Sequence, residues 1–268
     1  MLYFSVNGQP VANISIQDRG LAYGDGLFTT AKIANGTVEQ LQKHILRLQS
    51  GCKTLGIKLP ELQPLFDEID IVGRRFPNAV LKIVITAGQG GRGYSRVGVS
   101  EHNIIVMVSD FPKHYKQWAK SGIYLLDSKQ QMGVNPMLSG LKHLNRLEQV
   151  LIRQELDNSD ADDLVVCNVD GNVIETSCAN IFWLKENEIF TPEITVSGVA
   201  GLMRKYILQR LPNIQRKKAH LSDLANASSI FISNSIMGIV PVKQYNNRVY
   251  DLSPVFKIQK KIAGHLSD

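Results

Sequence analysis

The chain has little cysteine. Cys52, Cys167 and Cys178 are odd in number and include no CxxC pair. That spacing excludes a disulfide framework and a thiolate zinc site of the usual kind, and it fits reduced thiols in a cytoplasm. No apolar run approaches the length of a membrane span. The opening MLYFSVNGQP has neither a basic nor an apolar signal region, so no signal peptide is expected. There is no Walker A pattern, no G-x-S-x-G and no histidine pair at metal-ligand spacing, and the six histidines are scattered. Phosphate-loop, serine-hydrolase and metal chemistry therefore lack their usual residues, and no metal is expected. Charge of one sign is not concentrated either. The net charge is +6, but the densest groups are pairs such as Lys217-Lys218 and Lys260-Lys261, with no basic run interleaved with aromatics. Nucleic acid is not the expected partner; a polyanionic small molecule suits a mildly basic protein.

What is present is a sizeable core and many turns. Hydrophobic residues make up 44% of 268, enough for one large domain or two modest ones and against disorder. Hairpins are expected at Asn7-Gly8, with LYFSV and PVANISI as arms, and at Asn35-Gly36, between LFTTAKIA and TVEQL. Leu41, Ile45, Leu48, Cys52 and Leu55 repeat at helical spacing. AVLKIVITAG and NIIVMVSD read as strands around a glycine-rich loop. The segment FPKHYKQWAKSG, residues 111–122, has no clear period and reads as a linker. IYLLDS follows as a strand. Lys142 leads into a helix on which Leu144, Leu147, Val150 and Leu151 share a face. Further hairpins turn at Asp170-Gly171 and Glu186-Asn187, helices start near Gly201 and Ser222, SSIFISN is a strand, and Ser253-Pro254 opens a last helix. The expected class is mixed α/β in two domains: a smaller one over 1–110, the linker over 111–122, and a larger one over 123–268 that carries Lys142.

Two motifs tempt. Gly88-Gln89-Gly90-Gly91-Arg92-Gly93 matches G-x-G-x-x-G after a strand, but a dinucleotide site needs a helix next. YSRVGVSEHN has no apolar face and runs into another strand, so a flexible loop, or one that lets Arg92 approach a ligand closely, is the better reading. Ser139-Gly140-Leu141-Lys142 matches S-x-x-K, yet the S-D-N and K-T-G partners of that class are missing.

Several features in series remain. They are Asp18-Arg19-Gly20-Leu21-Ala22-Tyr23-Gly24-Asp25-Gly26 with Leu27-Phe28-Thr29-Thr30; His44 with Arg47; Lys142 followed by HLNRLEQ; Glu175-Thr176-Ser177-Cys178-Ala179-Asn180; and Gly201-Leu202-Met203-Arg204. Over nearly the whole chain and in this order they resemble the fold-type IV enzymes of pyridoxal 5'-phosphate (PLP), whose architecture is that of the D-amino acid aminotransferases. GGRGYS and KHLNRLEQVLIR resemble the aminodeoxychorismate lyases in particular.

The resemblance implies roles. Lys142 would carry PLP covalently and act as general base, which requires a neutral amine and hence a lowered pKa. By itself it is more readily a solvated lysine ahead of a helix. Glu175 would hold the pyridine nitrogen protonated; locally it is one face of a strand, with Val173 and Ser177. Arg47, roughly 100° off the Leu41–Leu55 stripe, would bind the phosphate, together with Asn180, the helix start at Gly201, Leu202 and Met203, and the Ser233-Asn234-Ser235 segment. Arg92 and Tyr94 would contact a substrate carboxylate, Arg92 either in its own chain's site or across a dimer. Thr30 would serve substrate or proton relay, or is simply a β-branched strand residue. The implied reaction converts 4-amino-4-deoxychorismate to 4-aminobenzoate and pyruvate, a step of folate biosynthesis, in a cytoplasmic homodimer. The rival is a D-amino acid or branched-chain aminotransferase on the same fold, and Asn145-Arg146 after the lysine favours the lyase.

Overall fold

A computed structural model describes residues 1–99, 101–186 and 188–263. The chain forms two compact units, Met1–Pro112 with Lys142–Asn145, and Lys113–Leu141 with Arg146–Asp268.

The first unit contains β1 (Tyr3–Val6), α1 (Arg19–Tyr23), β2 (Gly26–Ala34), β3 (Thr37–Val38), α2 (Leu41–Leu55), α3 (Gln63–Arg75), β4 (Asn78–Thr86) and β5 (Asn103–Asp110). Its sheet runs β1-β5-β4-β2-β3, antiparallel throughout. β2 alternates. Leu27, Ala31 and Ile33 are buried against Ile45, Leu48 and Cys52 of α2 and Leu65, Ile69 and Val72 of α3. Phe28, Thr30 and Lys32 take the other face, less buried. The helix expected from the leucine stripe is α2, and it ends at Gly56 in the left-handed region, a glycine C-cap. The Asn35-Gly36 hairpin forms with a short second arm. At Asn7-Gly8 the chain turns, but only Gln9 bridges back to Val6, so PVANISI is not a strand. α3 carried no expectation, although Leu65, Ile69 and Val72 lie at helical spacing.

The second unit contains α4 (His114–Ser121), β6 (Ile123–Met132), α5 (Leu147–Leu156), β7 (Asp163–Asn168), β8 (Val173–Thr176), β9 (Asn180–Lys185), β10 (Glu188–Pro192), α6 (Leu202–Arg210), β11 (Gln215–Lys217), α7 (Leu221–Ala225), β12 (Ser229–Asn234), β13 (Gly238–Tyr245), β14 (Arg248–Val249) and α8 (Ser253–Ala263). The sheet order is β11-β10-β9-β12-β13-β6-β7-β8, with β14 on β13. Parallel pairs (β13–β6, β6–β7, β10–β11) mix with antiparallel ones. Phe182 and Phe231 stack at 4.6 Å across β9 and β12, and Trp183 is fully buried and stacks on Phe190.

Three expectations change here. The 111–122 linker contains α4: Tyr115 and Trp118 pack on the second unit's core, and the boundary falls after Pro112. The leucine face expected of α5 is its exposed one. Leu147 is 78% exposed, and the helix buries Ile152 and Leu156 instead. Lys142 sits with the first unit and not the second, because its backbone pairs with β2. Asn187 of the expected Glu186-Asn187 turn lies outside the described residues; β9 and β10 do pair around it. Among the described residues no helix is long and apolar enough to cross a membrane.

Candidate active site

In the first unit the lysine is held by strand-like pairing. Phe28 N–H donates to Lys142 O at 2.9 Å, and Leu144 N–H donates to Gly26 O at 3.0 Å. Two glycines make room. A Cβ on Gly26 would stand 2.4 Å from Ile85 O and 2.7 Å from the Leu144 side chain. Gly24 has φ +62°, and a Cβ there would meet the Asn145 amide at 2.6 Å. The Asn145 amide also donates to Gly24 O at 3.1 Å. Lys142 Nζ lies 4.5 Å from the centre of the Phe28 ring, and Lys82 Nζ lies 4.9 Å from it. Thr30 is on the same face of β2 as Phe28 and is the cross-strand partner of Lys82.

Beneath this face, His44 is buried with Nδ1 2.6 Å from the Thr29 hydroxyl. Burial, then the positive charges of Arg47 and Lys142, push its pKa down to about 3, so it is neutral. Burial likewise brings the Arg47 guanidinium down to about 10. A cation that has lost hydration to this extent gains from a bound anion. Lys142 and Arg47 thus both act on His44, while Thr30 is placed by its strand alone, on the Phe28 face of β2.

In the second unit Glu175 is 6% exposed, and every residue of β8 is buried. It is not one face of a solvated strand. Its Oε2 accepts the Val199 N–H at 2.9 Å, and Arg146 and Arg204 lie within its field. The neighbouring Gly198 has φ +84°, and a Cβ on it would collide with Ile174 at 2.4 Å. Asn180 donates to Val199 O at 2.9 Å. A Cβ on Gly201 would lie 2.0 Å from Asn180 Oδ1. Gly201 is the extended N-cap of α6 and makes no side-chain cap, so the N–H groups of the first turn are left without intrahelical acceptors. Leu202 and Met203 turn their side chains into the interior and offer only backbone there. Across the β9–β12 ladder from Asn180 stands Ser233, fully buried, whose hydroxyl has no hydrogen-bond partner among the described residues.

The donors suit the group that the sequence resemblance implies. An uncapped helix start and an unsatisfied hydroxyl fit a phosphate, a buried carboxylate fits a protonated ring nitrogen, and a primary amine fits an aldehyde. Asn234 departs from expectation: its Oδ1 accepts the N–H groups of Ile236 and Met237, both at 2.9 Å, and its amide donates to Cys178 O. That side chain shapes the β12–β13 turn with its oxygen and one amide hydrogen, which leaves one amide hydrogen for another acceptor. Ser235 is half-buried in the same turn.

Arg92 and Tyr94 lie on a helix-free loop over 88–99, so no dinucleotide-type helix start follows the glycines. Both side chains are exposed; Tyr94, at 89%, meets the edge of Tyr23 at 5.6 Å.

Residues 26–245 match the family model for amino-transferase class IV. The chain belongs to the class IV aminotransferases. Relatives within this class span it end to end. An aminodeoxychorismate lyase of Vibrio harveyi is 36% identical over 269 residues, covering 98% of this chain and 99% of that one. The crystal structure of 4-amino-4-deoxychorismate lyase from Pseudomonas aeruginosa superposes with a TM-score of 0.90 at 32% identity, over 99% of this chain and 100% of that one. A branched-chain amino acid aminotransferase from Escherichia coli shares the fold at a TM-score of 0.86 and 19% identity, over 98% and 94% of the two chains.

Several residues of this class IV chain escaped the sequence reading. Lys82 carried no assigned role, and periodicity gives it none, since it is an ordinary strand residue. Arg19, Asp25 and Arg96 form an ion cluster: Arg19 Nε is 2.8 Å from Asp25 Oδ2, and Arg96 pairs with the same carboxylate. Burial opposes its charge, yet Arg96 and Arg19 hold the Asp25 carboxyl below its ordinary range. Only the repeated Asp-Arg-Gly and Gly-Asp-Gly spelling hinted at this cluster.

Proposed function

We propose that this chain is a PLP-dependent lyase that converts 4-amino-4-deoxychorismate to 4-aminobenzoate and pyruvate. The observation that carries the reading is the end-to-end match to an aminodeoxychorismate lyase, supported by the similar solved structure. Bound PLP supplies an electron sink for the carbon that bears the substrate nitrogen. Lys142 would carry the cofactor, and its amine, neutral when free, would be the base for the proton on that carbon. The bond from the adjacent carbon to the enolpyruvate oxygen then breaks, the ring becomes aromatic, and the enol takes a proton to become pyruvate. Glu175, desolvated and fixed by the Val199 N–H, keeps a proton on the ring nitrogen. The residues that would hold the PLP phosphate are Arg47, the amides of Leu202 and Met203 at the start of α6, Asn180, Ser233 and the Asn234-Ser235 turn. Thr30 relays a proton or touches substrate, and Arg92 with Tyr94 binds a substrate carboxylate. The drive to aromaticity leaves the protein to supply alignment and charge placement.

The enzyme acts as a cytoplasmic homodimer. Leu147, Val150 and Leu151 leave an apolar stripe of α5 exposed, which suits a second copy. The test of the reaction is product analysis without any 2-oxo acid present. Pyruvate and 4-aminobenzoate should appear in equal amounts from aminodeoxychorismate. No pyruvate, with amino transfer from D-alanine or a branched-chain amino acid to 2-oxoglutarate, would replace the lyase with an aminotransferase.

A further inference from the structure

The first unit contains a second built feature, one that the chemistry above does not use. The loop over 88–99 has almost no structure of its own: Gly88, Gly90, Gly91, Gly93 and Gly98 all have positive φ, and glycine is the residue with most freedom to lose. Yet the loop is tied at three levels to a single short motif. At its base, the buried Asp18 carboxylate accepts from Thr86 Oγ1 at 2.7 Å and from Asn103 Nδ2 at 2.6 Å. It thereby staples the end of β4, where the loop departs, to the start of β5, where the chain returns. At its entry, Arg19 N–H donates to Gly88 O at 2.9 Å. At its tip, the Arg19 guanidinium, 3% exposed, donates to three consecutive backbone carbonyls: Gly93 O and Ser95 O from Nη1, both at 3.1 Å, and Tyr94 O from Nη2 at 3.2 Å. Its Nε is held by Asp25 at 2.8 Å. The loop's own Arg96 returns to the same carboxylate at 3.0 Å and donates to Leu55 O. Gly91 packs so closely that a Cβ would stand 2.4 Å from Ser95 O and 3.1 Å from Arg19 Nη1.

We propose that Arg19 is the positioning residue of the substrate site: its guanidinium sets the 93–95 backbone and so fixes where Arg92 and Tyr94 present themselves to a carboxylate of the substrate. The inference rests on the reading above that Arg92 and Tyr94 meet substrate. A planar fork with five donors is required, since Arg19 serves a carboxylate and three carbonyls at once, and an ammonium cannot match that geometry. Asp25 completes the link. One residue later the chain enters β2 at Gly26, whose carbonyl accepts Leu144 N–H two residues beyond Lys142. The loop and the lysine are therefore referred to the same few residues of backbone.

The experiment compares purified, PLP-loaded wild type, Arg19→Lys, Gly91→Ala and Arg92→Ala. It measures kcat and KM for aminodeoxychorismate, the visible cofactor band, and the rate of tryptic cleavage after Arg92. Arg19→Lys keeps a cation against Asp25 and gives up the carbonyls. It should retain the cofactor band, raise KM at least about ten-fold with kcat changed less than about three-fold, and speed cleavage at Arg92. Gly91→Ala perturbs the same clamp from the loop side, outside the sheet core, and should raise KM in the same way. If Arg19→Lys does not fold, Gly91→Ala decides: a raised KM supports the clamp and an unchanged KM overturns it. Arg92→Ala reports on the underlying reading. A raised KM there beside an unchanged KM in the folded Arg19→Lys enzyme overturns the inference and leaves the reading intact. An unchanged KM in Arg92→Ala removes the loop from substrate binding, and the role of Arg19 falls with it.

Discussion

Gly24 and Gly26 let the backbone around Lys142 come against β2, and Gly198 and Gly201 do the same around Glu175 and Asn180. At each of these positions a methyl group would strike a neighbour within 2.0 to 2.6 Å. Gly201→Ala should therefore disturb Asn180 and the start of α6 together. We expect it to release PLP about ten-fold more readily or worse, read by equilibrium dialysis, while the chain remains folded; unchanged retention would remove that helix start from the phosphate site. Glu175→Gln tests a different residue. It keeps the volume and an acceptor for Val199 N–H but no negative charge to hold a proton on a ring nitrogen. Turnover should fall by about a hundred-fold or more, in the range of a lost charge or acid–base contribution, with the cofactor still bound. Lys142, Glu175 and Arg47 stand out as candidates in the sequence because their neighbours in the chain form a recognisable string. The partners of Arg19 do not, because Arg19 touches residues 74 to 76 positions away and nothing in local spacing encodes such a contact.

Among the elements, α2 carries the clearest pH signature. His44 is buried on it beside two cations, with its pKa lowered to about 3 from an ordinary 6.5. In the unfolded chain it takes a proton near pH 6.5; in the fold it does not until about pH 3. The unfolded state thus binds the extra proton, so the contribution of neutral His44 is full above pH 6.5 and is lost as pH falls toward 3. Denaturation midpoints of wild type and His44→Gln, measured from pH 7 to 5, should differ in slope by up to about 1.4 kcal/mol per pH unit, wild type being the steeper. Equal slopes would mean that His44 titrates normally. Elements with one repeating period or a strong turn, such as α2, β4, β5 and the Asn35-Gly36 hairpin, were readable from sequence. α4 was not, because its face is built from Tyr115 and Trp118 amid lysines and looks polar by composition. On α5 the period was read correctly, but the wrong face was assigned to the interior. An exposed leucine stripe and a buried one have the same spacing, and only the positions of Ile152 and Leu156 separate them.

At the scale of the whole molecule, the same exposed stripe bears on assembly. Val150→Glu with Leu151→Glu adds charge to a face already in solvent, so the fold should hold while a dimer weakens. Sedimentation should show a shift toward monomer; an unchanged mass would place the contact between copies elsewhere. The two-unit organisation was visible in the sequence, although the lysine was assigned to the wrong unit: a four-residue excursion, Lys142–Asn145, is too short for composition or period to reveal. The proposed chemistry depends on that lysine. The most direct measurement is the visible spectrum of the purified protein before and after borohydride, followed by peptide mapping. A yellow band that is reduced irreversibly onto the peptide holding Lys142 is the predicted result. A protein that stays colourless with added PLP, or a label on any other lysine, would contradict it.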